Sequence, residues 1–178
     1  MKAGKFALSA GLVAMAMLAG CSSLPGAKPA AQAMIESSSG SQVRGRVSFT
    51  PMGDKLLVEA ELSGLTPGEH GFHVHEGGDC SAPDASSARG HFNPAGRMHG
   101  HHQQQHHAER HAGDLPNLVA DANGQARYRA EVAGLTADAG PMGIIGRSLV
   151  VHADADDYRS QPAGNSGRRI ACGVIQAP

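Results

Sequence analysis

Residues 43–62, VRGRVSFTPMGDKLLVEAEL, contain two segments in which apolar and polar side chains alternate. The first half places Val43, Val47 and Phe49 on one side and arginine and serine side chains on the other. The second half repeats the pattern from Leu56 to 62 and is broken only by Leu57. Successive side chains of a strand point to opposite faces, so this alternation predicts two half-buried antiparallel strands.

The same alternation returns at residues 125–132, QARYRAEV, directly after an Asn123-Gly124 dipeptide. Asn-Gly is a strong hairpin signal, because both residues tolerate the positive φ angles of a tight turn. Short apolar runs at 149–151 and 170–175 predict two further strands. No ten-residue window after the N-terminal segment keeps a helical period, so the sequence predicts an all-β domain.

The composition fits a turn-rich β protein and points to a metal. The chain has 178 residues, with 24 Gly, 10 Pro and only 3% aromatic residues, which suits one domain of strands and tight turns. Its formal net charge is -1, so no basic surplus is available to hold a nucleic-acid backbone. Histidine is the outlier at 11 residues, most of them in one stretch.

The N-terminal segment has the features of an export signal. Lys2 and Lys5 come before an apolar run at 6–19, which is shorter than the roughly 20 residues that a membrane span needs. Leu18-Ala19-Gly20-Cys21 resembles a bacterial lipobox, in which the cysteine becomes the lipidated first residue, and Ser22 after it resembles outer-membrane lipoproteins. Cleavage without lipidation is the alternative.

These features predict the organisation of the chain. We expect residues 1–20 to be a signal peptide, 21–40 a lipidated N-terminus and flexible tether, and 41–178 the folded domain. The expected location is the periplasm or cell envelope, with an anchor in the outer membrane. Of the three cysteines, Cys80 and Cys172 then remain as a pair in an oxidising compartment, where a disulfide persists. Two buried free thiols are the alternative.

Two long stretches without periodicity, 77–117 and 153–169, separate the predicted strands. Loops of this length in a small domain are usually functional or disordered. The first contains most of the histidines, and it follows His73-Val74-His75, a predicted strand segment whose two imidazoles share one face. A His-x-His pair is a weak signal when taken alone. It is strengthened here by further residues of metal-binding type, which are His91, His99, His111, Asp114 and His152.

The ligand types suggest two metal sites. Imidazole nitrogens suit copper or zinc, and three imidazoles with one carboxylate suit tetrahedral zinc. Four imidazoles suit the tetragonal preference of Cu(II). Six histidines and one aspartate fill both sites only if one imidazole bridges them.

Five sequence blocks, which follow one another in family order over nearly all of residues 41–178, resemble copper/zinc superoxide dismutase. They are GFHVHE (71–76), GHFNP (90–94), HAGDL (111–115), GRSLVVH (146–152) and GNSGRRIACGV (164–174). The resemblance implies an eight-stranded flattened Greek-key barrel, an immunoglobulin-like sandwich, with two long functional loops. It also implies an oxidoreductase that converts superoxide to oxygen and hydrogen peroxide. Copper and zinc would be its cofactors, and dimers are common in the family.

The resemblance also implies roles for individual residues. The copper ligands would be His73, His75, His91 and His152, and the zinc ligands would be His91, His99, His111 and Asp114. Arg169 would attract superoxide, and His91 would take part in catalysis as the proton-carrying bridge. Asp156 would link a copper-site histidine to a zinc-site histidine, and Cys80 and Cys172 would form the family disulfide.

One segment departs from the family pattern. Between His99 and His111 the chain is longer than in animal enzymes and carries four extra histidines, which are His101, His102, His106 and His107. They predict either a solvated loop tip or a site that captures metal. A metal buffer on the same sandwich is therefore an alternative function, and a surface adhesion sandwich is a third. The ligand set together with Arg169 favours the enzyme.

Overall fold

Antiparallel strands make up most of the structure, a computed structural model that describes Met1, residues 28–102 and residues 109–178. A short 3-10 helix lies at Ser86–Ala88. The described residues form nine strands, which are β1 (Ala31–Ser37), β2 (Arg44–Met52), β3 (Lys55–Ser63), β4 (Gly68–His70), β5 (Phe72–His75), β6 (Leu118–Ala120), β7 (Ala126–Ala133), β8 (Ser148–His152) and β9 (Arg169–Gln176).

The strands curl into a barrel. Seven of them pair in the order β5-β8-β9-β1-β2-β3-β7, and β4 pairs with β6. β4 continues into β5 at one edge of the seven-stranded sheet, and β6 lies beside β7 at the other edge. The small pair therefore connects both edges, and the prediction of an all-β barrel is confirmed.

A single glycine accounts for the difference between nine strands and the expected eight. Gly71 lies between β4 and β5, where the chain changes its pairing partner from β6 to β8. An added Cβ at this position would lie 2.7 Å from Cβ of Ser166, a distance that real Cβ atoms essentially never show. Gly71 therefore lets the second long loop pack directly on the bend in what is otherwise one strand.

The core fixes which side chains of β5 can reach a metal. Phe72 and Val74 are fully buried in the core, and the Phe72 ring contacts Tyr128 edge-to-face at 5.3 Å between centroids. Burying one large apolar side chain stabilises a fold by about 2 kcal/mol, so this register is strongly specified. His73 and His75 consequently point to the other face, where the long loops cover them.

The prediction of a flexible tether up to residue 40 is wrong over Ala31–Ser37, which forms β1 between β9 and β2. Ala31, Ala33 and Ile35 of this strand are buried, and Ala30 already donates its backbone N–H to the carbonyl of Phe49. Small alanines on the buried face resemble linker composition, which hides the alternation. The folded domain therefore includes at least ten residues before position 41.

The signal peptide and the lipidation site stay predictions. Residues 2–20 and Cys21 lie outside the described residues. Within the described ranges, no helix has the length and hydropathy that crossing a bilayer would require.

Candidate metal centre

Four imidazoles converge above the outer face of β5 and β8. His73 and His75 come from β5 and His152 ends β8, whereas His91 comes from the first long loop. That loop is held against β5 because Phe92 donates its backbone N–H to the Val74 carbonyl at 2.8 Å. One ring nitrogen from each of the four histidines lies within 4.8 Å of the others.

In each of these four rings, one nitrogen is hydrogen-bonded to a neighbouring residue, and the other nitrogen points toward the other three rings. Nδ1 of His75 pairs with the Arg89 carbonyl at 2.9 Å, and Nδ1 of His152 pairs with the Gly167 carbonyl at 3.2 Å. The opposite nitrogens are buried and lack a hydrogen-bond partner among the described residues, and they are His73 Nδ1, His75 Nε2, His91 Nε2 and His152 Nε2. Buried, unpaired polar atoms are costly, and a metal ion with imidazole preference removes that cost. The four residues therefore fit a copper ion.

Burial keeps three of these imidazoles, those of His75, His91 and His152, neutral. Desolvation, with a further contribution from the neighbouring His73, lowers the pKa of His91 to about 4 and that of His152 to about 3. Desolvation likewise holds the pKa of His75 well below its ordinary value. Metal binding needs the deprotonated ring, so these three ligands are ready to coordinate at neutral pH.

A second group lies on the other side of His91 and consists entirely of residues from the first loop. Oδ1 of Asp114 lies 2.9 Å from Nδ1 of His91, 3.0 Å from Nδ1 of His99 and 3.3 Å from Nδ1 of His111. Three imidazole nitrogens and one carboxylate oxygen thus meet at one point, as a tetrahedral zinc site requires. Burial acts to raise the pKa of Asp114, but hydrogen bonds from the three imidazoles outweigh it and hold that pKa far below its usual range.

His91 belongs to both groups. Its Nε2 faces the first group and its Nδ1 faces the second, and its ring stacks on His73 at 4.0 Å between centroids. The structure therefore brings together both predicted ligand sets with one shared imidazole. Which metal occupies which group stays a prediction.

Asp156, from the second long loop, lies behind the two groups. Its Oδ2 is 2.8 Å from Nε2 of His73, and its Oδ1 is 2.9 Å from Nε2 of His99. Carboxylates that contact the far nitrogen of a ligand imidazole fix its tautomer and orientation. The position of Asp156 between one histidine of each group therefore matches the arrangement that the resemblance implies.

Asn117 was missed by the sequence analysis although it holds Asp156 in place. Its Oδ1 accepts the Asp156 backbone N–H at 3.0 Å, and its Nδ2 donates to the Asp156 carbonyl at 3.0 Å. The pairing joins residues 39 positions apart and uses only the backbone of Asp156. Its one sequence signal is the position of Asn117, three residues after the ligand Asp114.

Arg169 lies at the opening of the first group. It lines a cleft of about 330 Å³ together with His75, His91 and His152. Its Nη1 donates to the Ala85 carbonyl at 2.7 Å, and its Nη2 donates to the Arg89 carbonyl. A positive charge is therefore fixed at a cleft that reaches the first group, and its role in catalysis stays a prediction.

The predicted disulfide is confirmed, because Cys80 and Cys172 are bonded with an S–S distance of 2.01 Å. It ties the start of the first loop to β9, and Ala85 and Ala88 pack around it. One of the two carbonyls that hold the Arg169 guanidinium, that of Ala85, thus comes from the segment that packs around the disulfide.

The two extra histidines that the structure describes, His101 and His102, belong to neither group. The ring of His101 packs against His102 at 4.9 Å and against Tyr158 at 4.3 Å between centroids. Neither histidine belongs to a three-ligand group within the described ranges. His106 and His107 lie outside the described residues.

Comparison with known proteins identifies the family. Residues 43–175 match the family described as copper/zinc superoxide dismutase. The chain is 42% identical over 145 residues to Superoxide dismutase [Cu-Zn] of Deinococcus radiodurans, an alignment that covers 76% of this chain and 79% of the relative. It is 41% identical over 172 residues to Superoxide dismutase [Cu-Zn] of Paramecium bursaria Chlorella virus 1, covering 92% of this chain and 87% of the relative.

A solved structure agrees in fold and sequence. The crystal structure of the clock protein EA4 superposes with a TM-score of 0.74 at 40% identity, and the match covers 84% of this chain and 96% of that chain. The predicted cofactors, copper and zinc, are those of the matched family, and the two histidine groups suit them. This chain belongs to the copper/zinc superoxide dismutase family.

Proposed function

We propose that the protein is a superoxide dismutase whose copper is held by His73, His75, His91 and His152. Two superoxide anions and two protons would give one oxygen and one hydrogen peroxide. When bound, copper supplies the electron exchange, taking one electron from the first superoxide and giving it to the second. The observation that carries the proposal is the set of four buried imidazole nitrogens that face one another without a partner in the described part of the chain.

His91 would hold the proton that one half of the reaction needs. Its Nε2 is buried and has no hydrogen bond to a described residue, whereas its Nδ1 is hydrogen-bonded to Asp114. A nitrogen so placed can take up a proton and return it to a reacting oxygen, which is general acid catalysis. Zinc, held by His91, His99, His111 and Asp114, would not change its oxidation state. Its part would be to fix the His91 ring.

Arg169 would draw the anionic substrate to the cleft. The chain has a formal net charge of -1, so attraction of an anion depends on local positive potential. The Arg169 guanidinium is held at the cleft by two backbone carbonyls, which neutralise none of its charge. Superoxide would therefore meet a fixed cation beside the copper ligands.

The test is superoxide decay followed by pulse radiolysis with the full chain loaded with copper and zinc. We expect rapid decay that slows as salt is added, and a rate constant that falls about tenfold or more in Arg169→Ala. Arg127→Ala, which removes the same charge from an exposed position on β7, is the matched control and should change the rate little. Full metal occupancy with decay no faster than buffer would instead support the metal-buffer alternative.

We also propose that the protein is exported and anchored through a lipid on Cys21, in the outer membrane, where it protects the cell envelope from superoxide. The support is the sequence of residues 1–22. Ala30, the first described residue bonded into the barrel, follows Cys21 by nine positions, so the domain would sit within about 30 Å of the membrane surface. Labelled palmitate should enter the full-length protein and not Cys21→Ala, and only the wild type should fractionate with membranes. Sedimentation velocity tests the homodimer that the resemblance implies.

A further inference from the structure

The side chain of Gln161 pairs with both backbone polar groups of His99. Gln161 Oε1 accepts the N–H of His99 at 2.8 Å, and its Nε2 donates to the His99 carbonyl at 2.9 Å. Gln161 lies 62 residues further along the chain, in the second long loop. A primary amide used in this way imitates the paired hydrogen bonds of a β-sheet, so it fixes both the N–H and the carbonyl of His99.

Among the four residues of the second group, the proposed zinc ligands, His99 is bonded by two residues of the other long loop. Its side chain is fully buried, with Nδ1 3.0 Å from Asp114 and Nε2 2.9 Å from Asp156. Asp156 and Gln161 both belong to the second loop. That loop therefore holds the ring of His99 through one residue and its backbone through another.

The arrangement is reciprocal. Asp156, which bonds the ring of His99, has its own backbone held by the Asn117 amide from the first loop. His99 has its backbone held by the Gln161 amide from the second loop. Two side chains that bond to each other are thus each supported by a carboxamide from the opposite loop.

We propose that Gln161 is a positioning residue for zinc, which fixes the backbone of His99 so that its Nδ1 meets the other ligands of the group. The proposal rests on the proposed metal assignment, in which this group takes zinc. Gln161 is an exposed residue that makes partly buried bonds, so replacing it leaves the barrel core intact.

The test compares zinc binding in Gln161→Met and Gln176→Met. Methionine keeps the length of the side chain and removes the two hydrogen bonds to His99 together with the one that Nε2 donates to the Arg159 carbonyl. Gln176 is an exposed glutamine at the end of β9. Partners that orient a metal ligand typically contribute 10- to 100-fold to affinity, and we expect the lower end because Gln161 is exposed. The zinc dissociation constant, measured by chelator competition, should rise about tenfold in Gln161→Met and stay unchanged in Gln176→Met.

Copper affinity shows whether the variant affects the zinc ligands alone or disturbs both metal groups. Three of the four copper-type ligands lie on β5 and β8, so Gln161→Met should bind copper as the wild type does. The absorption spectrum of Co²⁺ placed in the zinc group should also change, because it reports the geometry of the ligands. A zinc constant within twofold of wild type, or equal losses of zinc and copper, would overturn the proposal.

A measurement on the wild type covers the case in which the variant does not fold. The His99 amide should exchange its hydrogen slowly, because Gln161 holds it, and exchange at the rate of an unprotected amide would contradict the inference. None of these readouts uses superoxide. Failure of the dismutase proposal would appear instead as metal-loaded wild type without activity.

Discussion

Gly164→Ala is a direct way to test how far both metal groups depend on Asp156. Gly164 has φ +66°, and a Cβ added there would lie 1.7 Å from Oδ1 of Asp156 and 2.7 Å from Nε2 of His99. The Asp156 carboxylate would have to move by more than 1 Å, which is enough to break a hydrogen bond of 2.8 or 2.9 Å to His73 or His99.

Gly146→Ala is the matched control, because Gly146 has φ +83° and no described atom within 4 Å of its added Cβ. Both variants pay about 1 to 2 kcal/mol for an alanine in the left-handed region. Losing one hydrogen bond to a charged group costs about 1.5 to 3 kcal/mol, so Gly164→Ala should lose about 2 kcal/mol more than Gly146→Ala.

The assay is urea unfolding of the metal-free protein with the disulfide intact, followed by zinc titration of each variant. The excess loss of free energy should appear in Gly164→Ala alone, together with weaker zinc binding. Equal losses in the two variants would show that the contact between Gly164 and Asp156 has no energetic importance, and the reasoning would be refuted.

Three further results are expected. Replacing both Cys80 and Cys172 by serine opens a loop of 92 residues and should lower the free energy of unfolding by about 4 to 5 kcal/mol, measured by urea titration under oxidising conditions. Burial acts to lower the pKa of His99, but hydrogen bonds to two aspartates outweigh it and raise that pKa to about 9. Zinc binding at pH 7 should therefore release about one proton, which calorimetry in buffers of different ionisation enthalpy measures. The pKa values of His91 and His152 are about 4 and 3 in the folded metal-free protein and near 6.5 in the unfolded chain. The unfolded state therefore binds more protons at these two imidazoles below pH 6.5, and together they should lower the free energy of unfolding by about 2 kcal/mol between pH 6.5 and 5.5. His75, whose pKa is also lowered, acts in the same direction, whereas a flat profile would contradict this assignment.

The sequence predicted the strands whose two faces differ strongly. In β2 and β3, valine, leucine and phenylalanine face the core while arginine and glutamate face outward, so the register can be seen from the letters alone. β1 was missed because the difference in side-chain size between its two faces is the opposite of that in β2 and β3. Its buried face carries the small Ala31 and Ala33, and its outer face carries Met34, which is 62% exposed.

The residues of the metal groups and Asp156 were found in the sequence, and the residues that hold the backbone of Asp156 and His99 were not. Ligands have a characteristic chemistry, so a cluster of histidines and an aspartate is visible before any fold is known. Asn117 and Gln161 act on the backbone of residues 39 and 62 positions away, and a backbone partner leaves no pattern of side chains. Gly164 matters through the absence of a Cβ, which has meaning only once Asp156 is placed beside it.

The two groups differ in what holds them, and this bears on the part played by zinc. Three ligands of the first group are fixed by the paired strands β5 and β8, so their geometry is set by the barrel itself. All four residues of the second group come from the first long loop, which is held by the disulfide, Asp156 and Gln161 together with backbone hydrogen bonds to β5. His91 is the one ligand of the first group that also belongs to this loop. A zinc ion that closes the second group would therefore fix the one ligand of the first group that lies outside the strands, and it would do so on the side of His91 opposite to the first group.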